Sequence, residues 1–551
     1  METLMAQTEV DPLIEKLKLN DDAIDPRGRQ VVKIDPDLVE GDENGKIVLV
    51  TAMTPTPAGE GKTTTTIGLI DGLSRIGVKA IGALREPSLG PLFGMKGGAI
   101  GGGKSRVIPS EQINMHFTGD LHAVTSAHNL LSALVDNHLY FENEPKLDPT
   151  SITWGRVLDM NDRALRKVEV GSATKRGPIR MDRFDITAAS EVMAILCLAK
   201  DFADLEARLD AIVVGQSPDG HAITAKDIGA SSAMAAILLD ATRPNLVRTL
   251  EDNPVLVHGG PFANLAQGTS SLMQTRLARK LADVVVTEAG FAFDLGGFKF
   301  LDIKGRAGEF IPDDVVLVVT VRALRHHGGV DFNEGPNVDA VKSGLNNISA
   351  HLEAMERLGL KAPLIAINQR EDDADDEVEA ICDFAKKHGT EAVRGRYFAE
   401  GGAGAEDLSK ALMARLETSD GNKGYKSPYD DDDTLVLKIE KASAAVFGAT
   451  GVQLTEKARA DLAFLESIQK EQLPICLAKT HLSISDDKKV LGKPAPFELK
   501  VTGLRVQAGA GFISVLCGPI LTMPGLPKKP AAAGVSVEKD AAGRRQIIGL
   551  K

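Results

Sequence analysis

Cysteine and aromatic side chains are scarce in this chain of 551 residues, which has four cysteines, one tryptophan and 4% aromatic residues. The cysteines are scattered and no two have the spacing of a metal or redox site, so we expect reduced, buried thiols. No apolar run approaches the roughly 18 residues of a membrane-spanning helix. The first residues also lack the basic and apolar regions of a signal peptide. We therefore expect a cytoplasmic protein without a membrane partner.

An excess of basic residues is also missing. The chain has 64 Lys and Arg against 76 Asp and Glu, which gives a formal net charge of −12. This acidity argues against nucleic acid or an anionic membrane as the main partner, because both repel an acidic protein. Local groups of basic residues still permit the binding of a small anion. The length alone predicts two to four domains.

A glycine loop between a predicted strand and a predicted helix is the most informative motif. The apolar run 46–52 leads into Thr54-Pro-Thr-Pro-Ala-Gly-Glu-Gly-Lys-Thr-Thr-Thr. Such a turn aims backbone N–H groups and the positive end of a helix at one point. Lys62 would contact the outer phosphates and the Thr63 hydroxyl would bind Mg²⁺. We predict nucleoside-triphosphate binding by Thr56, Pro57, Ala58, Gly59, Glu60, Gly61, Lys62 and Thr63.

This phosphate loop departs from the pattern G-x-x-x-x-G-K-[ST] at one position. The pattern places a glycine at position 56, where this chain has Thr56. The strand before the loop, the helix after it and two spaced glycines agree with the phosphate-binding interpretation.

Apolar, β-branched runs of strand length recur between helical stretches. They do not alternate polar with apolar residues, which is typical of strands covered on both faces of a parallel sheet. The expected fold is α/β with a largely parallel sheet. We predict strands at 46–52, 79–84, 211–215, 254–258, 283–287, 315–321 and 363–367, and helices that include 187–200, 263–281 and 338–358.

Charged, polar or glycine-rich residues follow most of these strands. Ligands of open α/β sheets bind beyond the carboxyl ends of the strands, so these residues are expected to meet at the edge that carries the phosphate loop. Taken singly, each also fits the simpler interpretation that polar residues mark strand ends. The residues are Arg85, Glu86, His258, Glu288, Arg322 and Asn368.

Changes in composition mark the expected domain edges. Residues 418–433 form a polar, turn-rich connector, and helical runs at 434–447 and 454–470 lead from it into a strand-rich segment. We predict a phosphate-loop domain at 1–360, a middle α/β domain at 361–450 and a carboxyl-terminal domain at 451–551. The last two are expected to be smaller, and α/β or α+β.

A second glycine-rich segment, Arg85 to Lys104, follows the predicted strand 79–84. Seven glycines in residues 90–103 let the backbone approach a ligand closely and move on binding. Lysines and arginines in this segment favour closure over an anionic intermediate, whereas a flexible linker is the alternative interpretation. We predict a lid and anion-binding loop that contains Glu86, Gly97, Gly98, Gly101 and Gly102.

Two further groups carry candidate chemistry. His116, Asp120 and His122 lie within seven residues, but H-x₅-H is not a reliable metal spacing and no cysteine joins it. Hydrogen-bonding or acid–base roles are therefore favoured over a metal site. The segment from His258 to Ser271 predicts a strand end that turns into a helix whose amino terminus binds another anion.

In this order, these segments resemble the formate–tetrahydrofolate ligase (10-formyltetrahydrofolate synthetase) family. The resemblance spans nearly the whole chain. It continues through Leu158-Asp-Met-Asn-Asp-Arg-Ala-Leu-Arg, Phe184-Asp-Ile-Thr-Ala-Ala-Ser-Glu-Val-Met-Ala-Ile, Thr320-Val-Arg-Ala-Leu-Arg-His-His-Gly-Gly, Ala508-Gly-Ala-Gly-Phe-Ile and Met523-Pro-Gly-Leu-Pro.

The resemblance implies a monofunctional C–N-bond-forming ligase of one-carbon metabolism. Such an enzyme joins formate to tetrahydrofolate with Mg-ATP, through formyl phosphate, and yields 10-formyltetrahydrofolate, ADP and phosphate. Lys62 and the Mg²⁺ on Thr63 would neutralise the transferred phosphoryl group, and Arg85 would bind formyl phosphate. Asp120 and His116 match family positions near the reaction centre, where they would orient the intermediate or move the N10 proton.

The expected folate pocket departs from the family pattern. Members commonly stack the pterin between two aromatic side chains, whereas Arg370 and Phe398 stand at these positions here. An arginine also stacks on a flat ring, so we expect Arg370 and Phe398 to bind folate. The resemblance further implies a homotetramer and activation by potassium or ammonium, for which we identify no ligand. Other expected partners are small molecules only.

Two other functions stay open. A GTPase-like switch is faintly indicated by Asp294-Leu-Gly-Gly297, which meets D-x-x-G, and by Asn368-Gln-Arg-Glu, which resembles the guanine-reading N-K-x-D. Nucleotide preference would separate it from a ligase. The nearer alternative is a ligase that forms an acyl phosphate from another small acid, which would be supported if ADP release required an acid other than formate.

Overall fold

Seven neighbouring parallel strands form the larger part of one sheet and reach one of its edges. The structure is a computed structural model that describes residues 8–94, 100–173, 176–331, 333–418 and 420–550. Across the sheet the strands run in the order β3-β2-β4-β1-β5-β6-β7, and every neighbouring pair is parallel. They are β1 (Lys46–Ala52), β2 (Ala80–Leu84), β3 (Pro254–Val257), β4 (Val284–Glu288), β5 (Asp314–Val319), β6 (Leu364–Asn368) and β7 (Ala392–Gly395).

Both faces of the parallel strands are covered. Along β1, Ile47 and Leu49 pack in one hydrophobic core, whereas Val48 and Val50 pack in another on the opposite face. A strand buried on both faces has no polar alternation, which is why its sequence is a continuous apolar run. The predicted α/β fold with a mainly parallel sheet is confirmed.

Antiparallel strands extend the sheet beyond β3, and the sequence did not predict them. Asn245–Thr249 pairs with β3, and Val32–Ile34 and Ile24–Pro26 follow in turn. Ser105–Ile108 also pairs with Asn245–Thr249, and it forms a hairpin with Gly101–Gly102. These strands are two to five residues long, too short to produce a recognisable period.

A separate mixed sheet of four strands lies in the carboxyl-terminal part. Its order is Gly451–Leu454, Glu498–Gln507, Phe512–Cys517 and Ile475–Ala478, and the middle pair is antiparallel. Four two-stranded pairs complete the strands, namely Arg156–Leu158 with Phe184–Ile186, Val168–Val170 with Arg180–Asp182, Val213–Gln216 with Ala222–Thr224, and Ser536–Lys539 with Arg545–Ile548.

Helices connect the strands and cover the sheets. Two π-helical segments, Phe293–Gly297 and Phe300–Gly305, lie between β4 and β5. The α-helices are α1 (Lys62–Arg75), together with Asp11–Leu17, Leu89–Phe93, Ser110–Asn114, Asp120–Phe141, Glu191–Leu198, Phe202–Asp210, Ala225–Ile228, Ser231–Leu238, Leu272–Leu281, Arg306–Gly308, Val321–His327, Val338–Arg357, Asp375–Lys387, Tyr397–Glu400, Glu406–Thr418, Leu435–Phe447 and Glu456–Ser467.

Six of the seven predicted strands belong to the parallel sheet, and the seventh does not. Val213–Gln216 pairs only with Ala222–Thr224, so the prediction that 211–215 joins the parallel sheet is wrong. Its apolar residues pack instead in a second core beside the helix Asp120–Phe141. An apolar run of this length specifies burial but not the partner strand.

Two predicted helices are shorter than expected. The helix predicted at 263–281 begins only at Leu272, because Ser271 accepts a hydrogen bond from the Gln274 N–H and caps it. The residues before it form a loop, in which Gly268 has a φ of +64°, in the left-handed region. The helix predicted at 187–200 begins after the Ser190 cap and ends at Leu198.

The thiols match their prediction, while the domain division stays a prediction. All four cysteines are free; three are buried and Cys382 is half-buried. The strands β6 and β7, from the predicted middle domain, pair with the sheet of the predicted first domain. Within the described ranges, no helix is long and apolar enough to cross a membrane.

A buried carboxyl group ties the helix Glu191–Leu198 to the carboxyl-terminal sheet. Glu191 accepts a hydrogen bond of 2.7 Å from the Gly509 N–H, and its burial raises the pKa of this carboxyl from 4.5 to about 8. Folding therefore takes up a proton between these two pH values. As the pH rises through this window, the contribution of Glu191 to the free energy of unfolding falls, by up to about 1.4 kcal/mol per pH unit.

We expect Glu191→Gln to lose this pH dependence, because a carboxamide does not ionise. The free energy of unfolding of the variant minus that of the unsubstituted protein should increase from about pH 5 to about pH 8. Urea unfolding followed by circular dichroism at three pH values in this range measures the difference. A difference that stays constant with pH would contradict the assignment.

Candidate active site

The phosphate loop joins the carboxyl end of β1 to α1. Gly61 is the residue before the helix and has a φ of +70°, and Gly59 has a φ of +78°. A Cβ atom at Gly61 would lie 2.3 Å from Nδ2 of Asn368. Glycine is required at position 61 by both backbone conformation and space.

The side chain of Glu60 turns inward and holds the loop in shape. Its Oε1 accepts hydrogen bonds from the Thr56 N–H at 2.7 Å and from the Thr56 hydroxyl at 2.8 Å. Its other oxygen accepts a hydrogen bond from the hydroxyl of Thr320, at the end of β5. Thr56 therefore has a structural role that a glycine could fill only in part, which accounts for the departure from the common pattern.

Two side chains from neighbouring strand ends fasten the backbone of the same loop. Arg322 Nη2 donates to the Gly59 carbonyl at 2.6 Å, and Asn368 Nδ2 donates to the Glu60 carbonyl at 3.1 Å. Arg322 follows β5, and Asn368 is the last residue of β6. The predicted convergence of strand ends at the phosphate loop is therefore observed for Arg322 and Asn368.

A buried carboxylate joins the phosphate loop to Arg85. Glu288, the last residue of β4, is 1% exposed. Its Oε2 accepts a hydrogen bond of 2.8 Å from the Thr63 hydroxyl, and its Oε1 lies 3.4 Å from Nη2 of Arg85. Because β4 lies between β1 and β2, the residues after these two strands both reach it.

Arg85 is fixed but keeps hydrogen-bonding capacity. Its Nη1 donates to the Pro261 carbonyl at 3.3 Å, whereas its Nε is buried and has no hydrogen-bond partner among the described residues. A Cβ atom at Gly290 would lie 2.8 Å from Nη1, so this glycine leaves room for the guanidinium. An arginine held in this way can bind an oxyanion.

Glu86 and Asp120 form a buried charge cluster beside Arg85. Asp120 accepts hydrogen bonds from Lys33 Nζ at 2.7 Å and from Asn245 Nδ2 at 2.9 Å. Burial raises the pKa of Glu86 well above its usual value, and the negative charges of Asp120 and Asp159 act in the same direction. Its Oε2 has no hydrogen-bond partner in the described part of the chain. Glu86 lies two residues after β2, and its backbone N–H donates a hydrogen bond of 2.8 Å to the Gly259 carbonyl.

The two histidines near Asp120, His116 and His122, are exposed, whereas Asp120 is buried. Burial raises the pKa of Asp159, and the nearby His116 opposes this shift in part. Asp159 in turn accepts hydrogen bonds from Ser88 and from the Leu89 N–H. His116 is therefore close to the segment that follows Arg85. His122 is exposed on the helix Asp120–Phe141 and lies 3.4 Å from the Ser126 hydroxyl.

The described half of the predicted lid packs on Phe398. A Cβ atom at Gly102 would lie 3.1 Å from the Phe398 ring, and the Lys104 N–H donates to the Phe398 carbonyl at 2.9 Å. Gly101 packs against Ile67 of α1. The predicted lid residues Gly97 and Gly98 lie outside the described residues.

The two predicted folate residues lie after neighbouring strands. Asn368 of β6 is paired with Gly395 of β7, so Arg370 and Phe398 follow the same corner of the sheet. The side chain of Arg370 is half exposed, and Phe398 is 63% exposed. An exposed aromatic ring at a strand-end corner is available to a flat ligand.

The segment from His258 to Ser271 leads into a helix, but this helix begins later than predicted. His258 is buried, its Nδ1 lies 2.6 Å from the Ser271 hydroxyl and its Nε2 lies 2.5 Å from the Ala241 carbonyl. Burial lowers the pKa of this imidazole to about 4. The helix begins only at Leu272, after a loop that runs to Ser271, and the anion site at its start stays a prediction.

The D-x-x-G pattern lies apart from the phosphate loop contacts. Asp294 belongs to a buried π-helical segment and lies 2.7 Å from Lys479 Nζ. Both side chains are almost fully buried, so this aspartate is occupied by an internal ion pair. The geometry gives no support to a GTPase-like switch.

Sequence reasoning missed the partners of the site residues. Lys33, Asn245 and Asp159 were not predicted, and Glu288 was noted only as a strand end. The one signal in the sequence that could have identified Glu288 was its position after a predicted strand. Pairing with Thr63 across 225 residues depends on strand order, which the sequence does not state.

Comparison with known proteins identifies the same family that the sequence motifs resemble. The family model for formate–tetrahydrofolate ligase matches residues 2–551. Proteins described as formate–tetrahydrofolate ligase from Methylobacterium nodulans, Methylobacterium radiotolerans and Bacillus pumilus are 49%, 48% and 47% identical to this chain. These alignments cover 97–98% of this chain and 96–97% of the relatives. The chain belongs to the formate–tetrahydrofolate ligase family.

Proposed function

We propose that this protein ligates formate to tetrahydrofolate with ATP, through formyl phosphate, and releases 10-formyltetrahydrofolate, ADP and phosphate. One observation carries the proposal beyond family membership. Glu288 contacts both Thr63 of the phosphate loop and Arg85, so a transferred phosphoryl group and an acyl phosphate have adjacent positions. A shared site of this kind suits transfer from a nucleotide to a small acid.

The first step makes formate reactive. Its carboxylate is resonance-stabilised and a poor electrophile, so a formate oxygen attacks the γ-phosphorus and the resulting formyl phosphate has phosphate as leaving group. Charge on the equatorial phosphoryl oxygens must be neutralised. Lys62 is the first residue of α1, where its charge adds to the positive end of the helix dipole.

The phosphate loop also has a donor set that fits Mg²⁺. The Thr63 hydroxyl donates its single proton to Glu288 at 2.8 Å, which leaves its lone pairs available to a cation that prefers oxygen ligands. Bound there with the nucleotide, Mg²⁺ would neutralise charge on the phosphates. Glu60 keeps the loop rigid during this step through its two bonds to Thr56.

Arg85 holds the intermediate for the second step. Its Nε, which has no hydrogen-bond partner among the described residues, and its guanidinium charge bind the phosphate of formyl phosphate. N10 of tetrahydrofolate then attacks the formyl carbon and displaces phosphate. Glu86 has a raised pKa, which favours its protonated form as a hydrogen-bond donor beside Arg85. Asp120 and His116 orient the intermediate or move the N10 proton. The glycine-rich lid excludes water, which would hydrolyse formyl phosphate.

The remaining parts of the proposal rest on the family resemblance. Arg370 and Phe398 bind the pterin, and Mg-ATP is the phosphoryl donor. We also infer a cytoplasmic homotetramer that is activated by potassium or ammonium. The three domains at 1–360, 361–450 and 451–551, which changes in composition predict, also remain part of the proposal.

The direct test is an assay of the purified protein with Mg-ATP, formate and tetrahydrofolate. We expect formation of 10-formyltetrahydrofolate and ADP in equal amounts, because one phosphoryl transfer activates one formate. Absorbance of the folate product and a coupled ADP assay measure both. Release of ADP with acetate but not with formate would favour the alternative acyl-phosphate ligase.

Arg85→Ala should lower formate-dependent turnover by about 10²–10³-fold, because it removes the cation that stabilises formyl phosphate. ADP affinity, measured by calorimetry, should change by less than about threefold. Arg85→Lys is the matched variant; it keeps the charge and should retain part of the activity. Loss of ADP binding together with turnover would instead place Arg85 in the nucleotide site or in the fold.

Phe398→Ala should raise the KM for tetrahydrofolate by about three- to tenfold, because a stacking surface for the pterin is lost. The kcat for saturating folate and the KM for ATP should stay within about twofold. Phe141→Ala removes another exposed aromatic ring, 60% exposed at the carboxyl end of the 22-residue helix that begins at Asp120, and serves as the control. Equal effects of both substitutions on the KM for folate would exclude Phe398 from the pocket.

A further inference from the structure

Glu288 occupies a distinctive position relative to the phosphate loop. It is the last residue of β4, and the register pairs it with Val50 of β1, two residues before that strand ends. A carboxylate at this place lies beside the first turn of α1. Its burial at 1% exposure means that water is not the partner of its oxygens.

The hydrogen bond from Thr63 has a direction that matters for cation binding. A carboxylate oxygen can only accept, so the Thr63 hydroxyl must donate its proton to Glu288 at 2.8 Å. The lone pairs of Thr63 Oγ1 then point away from Glu288. A hydroxyl without a fixed acceptor would be free to turn, and its lone pairs would have no fixed direction.

The other oxygen of Glu288 is also occupied. Oε1 lies 3.4 Å from Nη2 of Arg85, whose side chain is 16% exposed. A buried carboxylate needs a compensating charge, and Arg85 supplies it. The carboxylate is therefore held from two sides, with neither oxygen turned towards solvent.

We propose that Glu288 is a positioning residue for the Mg²⁺ of the bound nucleotide. It would order this ion through the Thr63 hydroxyl, while its second oxygen holds Arg85 beside the phosphate loop. Glu288 does not contact the reacting atoms in this arrangement. The proposal rests on the proposed function for the identity of the nucleotide but not for the choice of acid or of folate.

The test measures how ADP affinity depends on Mg²⁺, by calorimetry, without any turnover. For Glu288→Gln we expect the Mg²⁺ concentration that half-saturates the increase in ADP affinity to rise by at least about tenfold, equivalent to about 1.4 kcal/mol. With excess EDTA, ADP affinity should change by less than about threefold, because the loop amides and Lys62 are unaltered. Glu356→Gln, an exposed carboxylate on the helix Val338–Arg357, is the matched control and should leave both values unchanged.

A double-mutant cycle tests whether the effect passes through Thr63. Thr63→Val should raise the Mg²⁺ requirement similarly, and the double variant should be no worse than the more affected single variant. Additive effects would show that Glu288 acts on the metal independently of Thr63 and would overturn the proposal. Equal losses of ADP affinity with Mg²⁺ and with EDTA, or an unchanged Mg²⁺ requirement, would also overturn it.

A second variant covers the case in which Glu288→Gln does not fold, as circular dichroism would show. Glu288→Asp keeps the negative charge beside Arg85 but is one methylene shorter, so its oxygens cannot hold Thr63 and Arg85 together. We expect the same shift in Mg²⁺ requirement, at about three- to tenfold. No shift in a folded Glu288→Asp protein would contradict the proposal. Failure of the proposed ligation with formate would leave these ADP and Mg²⁺ measurements unaffected, so the two failures are distinguishable.

Discussion

A buried helical segment between β4 and β5 carries charged side chains. It joins the large sheet, the carboxyl-terminal sheet and the loop from His258 to Ser271. Phe293–Gly305 is almost entirely shielded from water, yet Asp294 pairs with Lys479 of the carboxyl-terminal part at 2.7 Å and Lys299 donates to the Ala263 carbonyl at 2.7 Å. A buried charge that loses its partner costs about 3–5 kcal/mol. Each contact therefore fixes one neighbour at a definite place.

The contacts of this buried segment extend to Arg85 in the candidate active site. The Ala263 carbonyl that Lys299 fixes belongs to the loop that packs against Gly268 and Gly290, and Gly290 borders the guanidinium of Arg85. The carboxyl-terminal sheet supplies no predicted catalytic residue, but it is joined to this loop through the same buried segment. The candidate active site thus depends on contacts between distant parts of the chain, and the family model matches residues 2–551.

Local patterns predicted the parts of the site that depend on neighbouring residues in the chain. A strand, a glycine loop and a helix follow one another, so the phosphate loop was visible in a dozen residues. Arg85 and Asn368 were found by the rule that ligands meet the carboxyl ends of parallel strands. The partner of Glu60 was not found, because Thr320 is 260 residues away, and Lys33 lies 87 residues from Asp120. Such pairs depend on strand order and register, which apolar runs do not encode.

The sequence alone determined the α/β class, the phosphate loop with its required glycines and the family to which the chain belongs, because each of these is expressed in contiguous residues. Only the tertiary structure decided that 211–215 leaves the parallel sheet, that antiparallel strands extend it, and that Thr63 and Arg85 share Glu288. The physical reason is that a buried carboxylate must find its donors wherever the sheet order brings them. That order is set by packing over the whole molecule and not by any one segment.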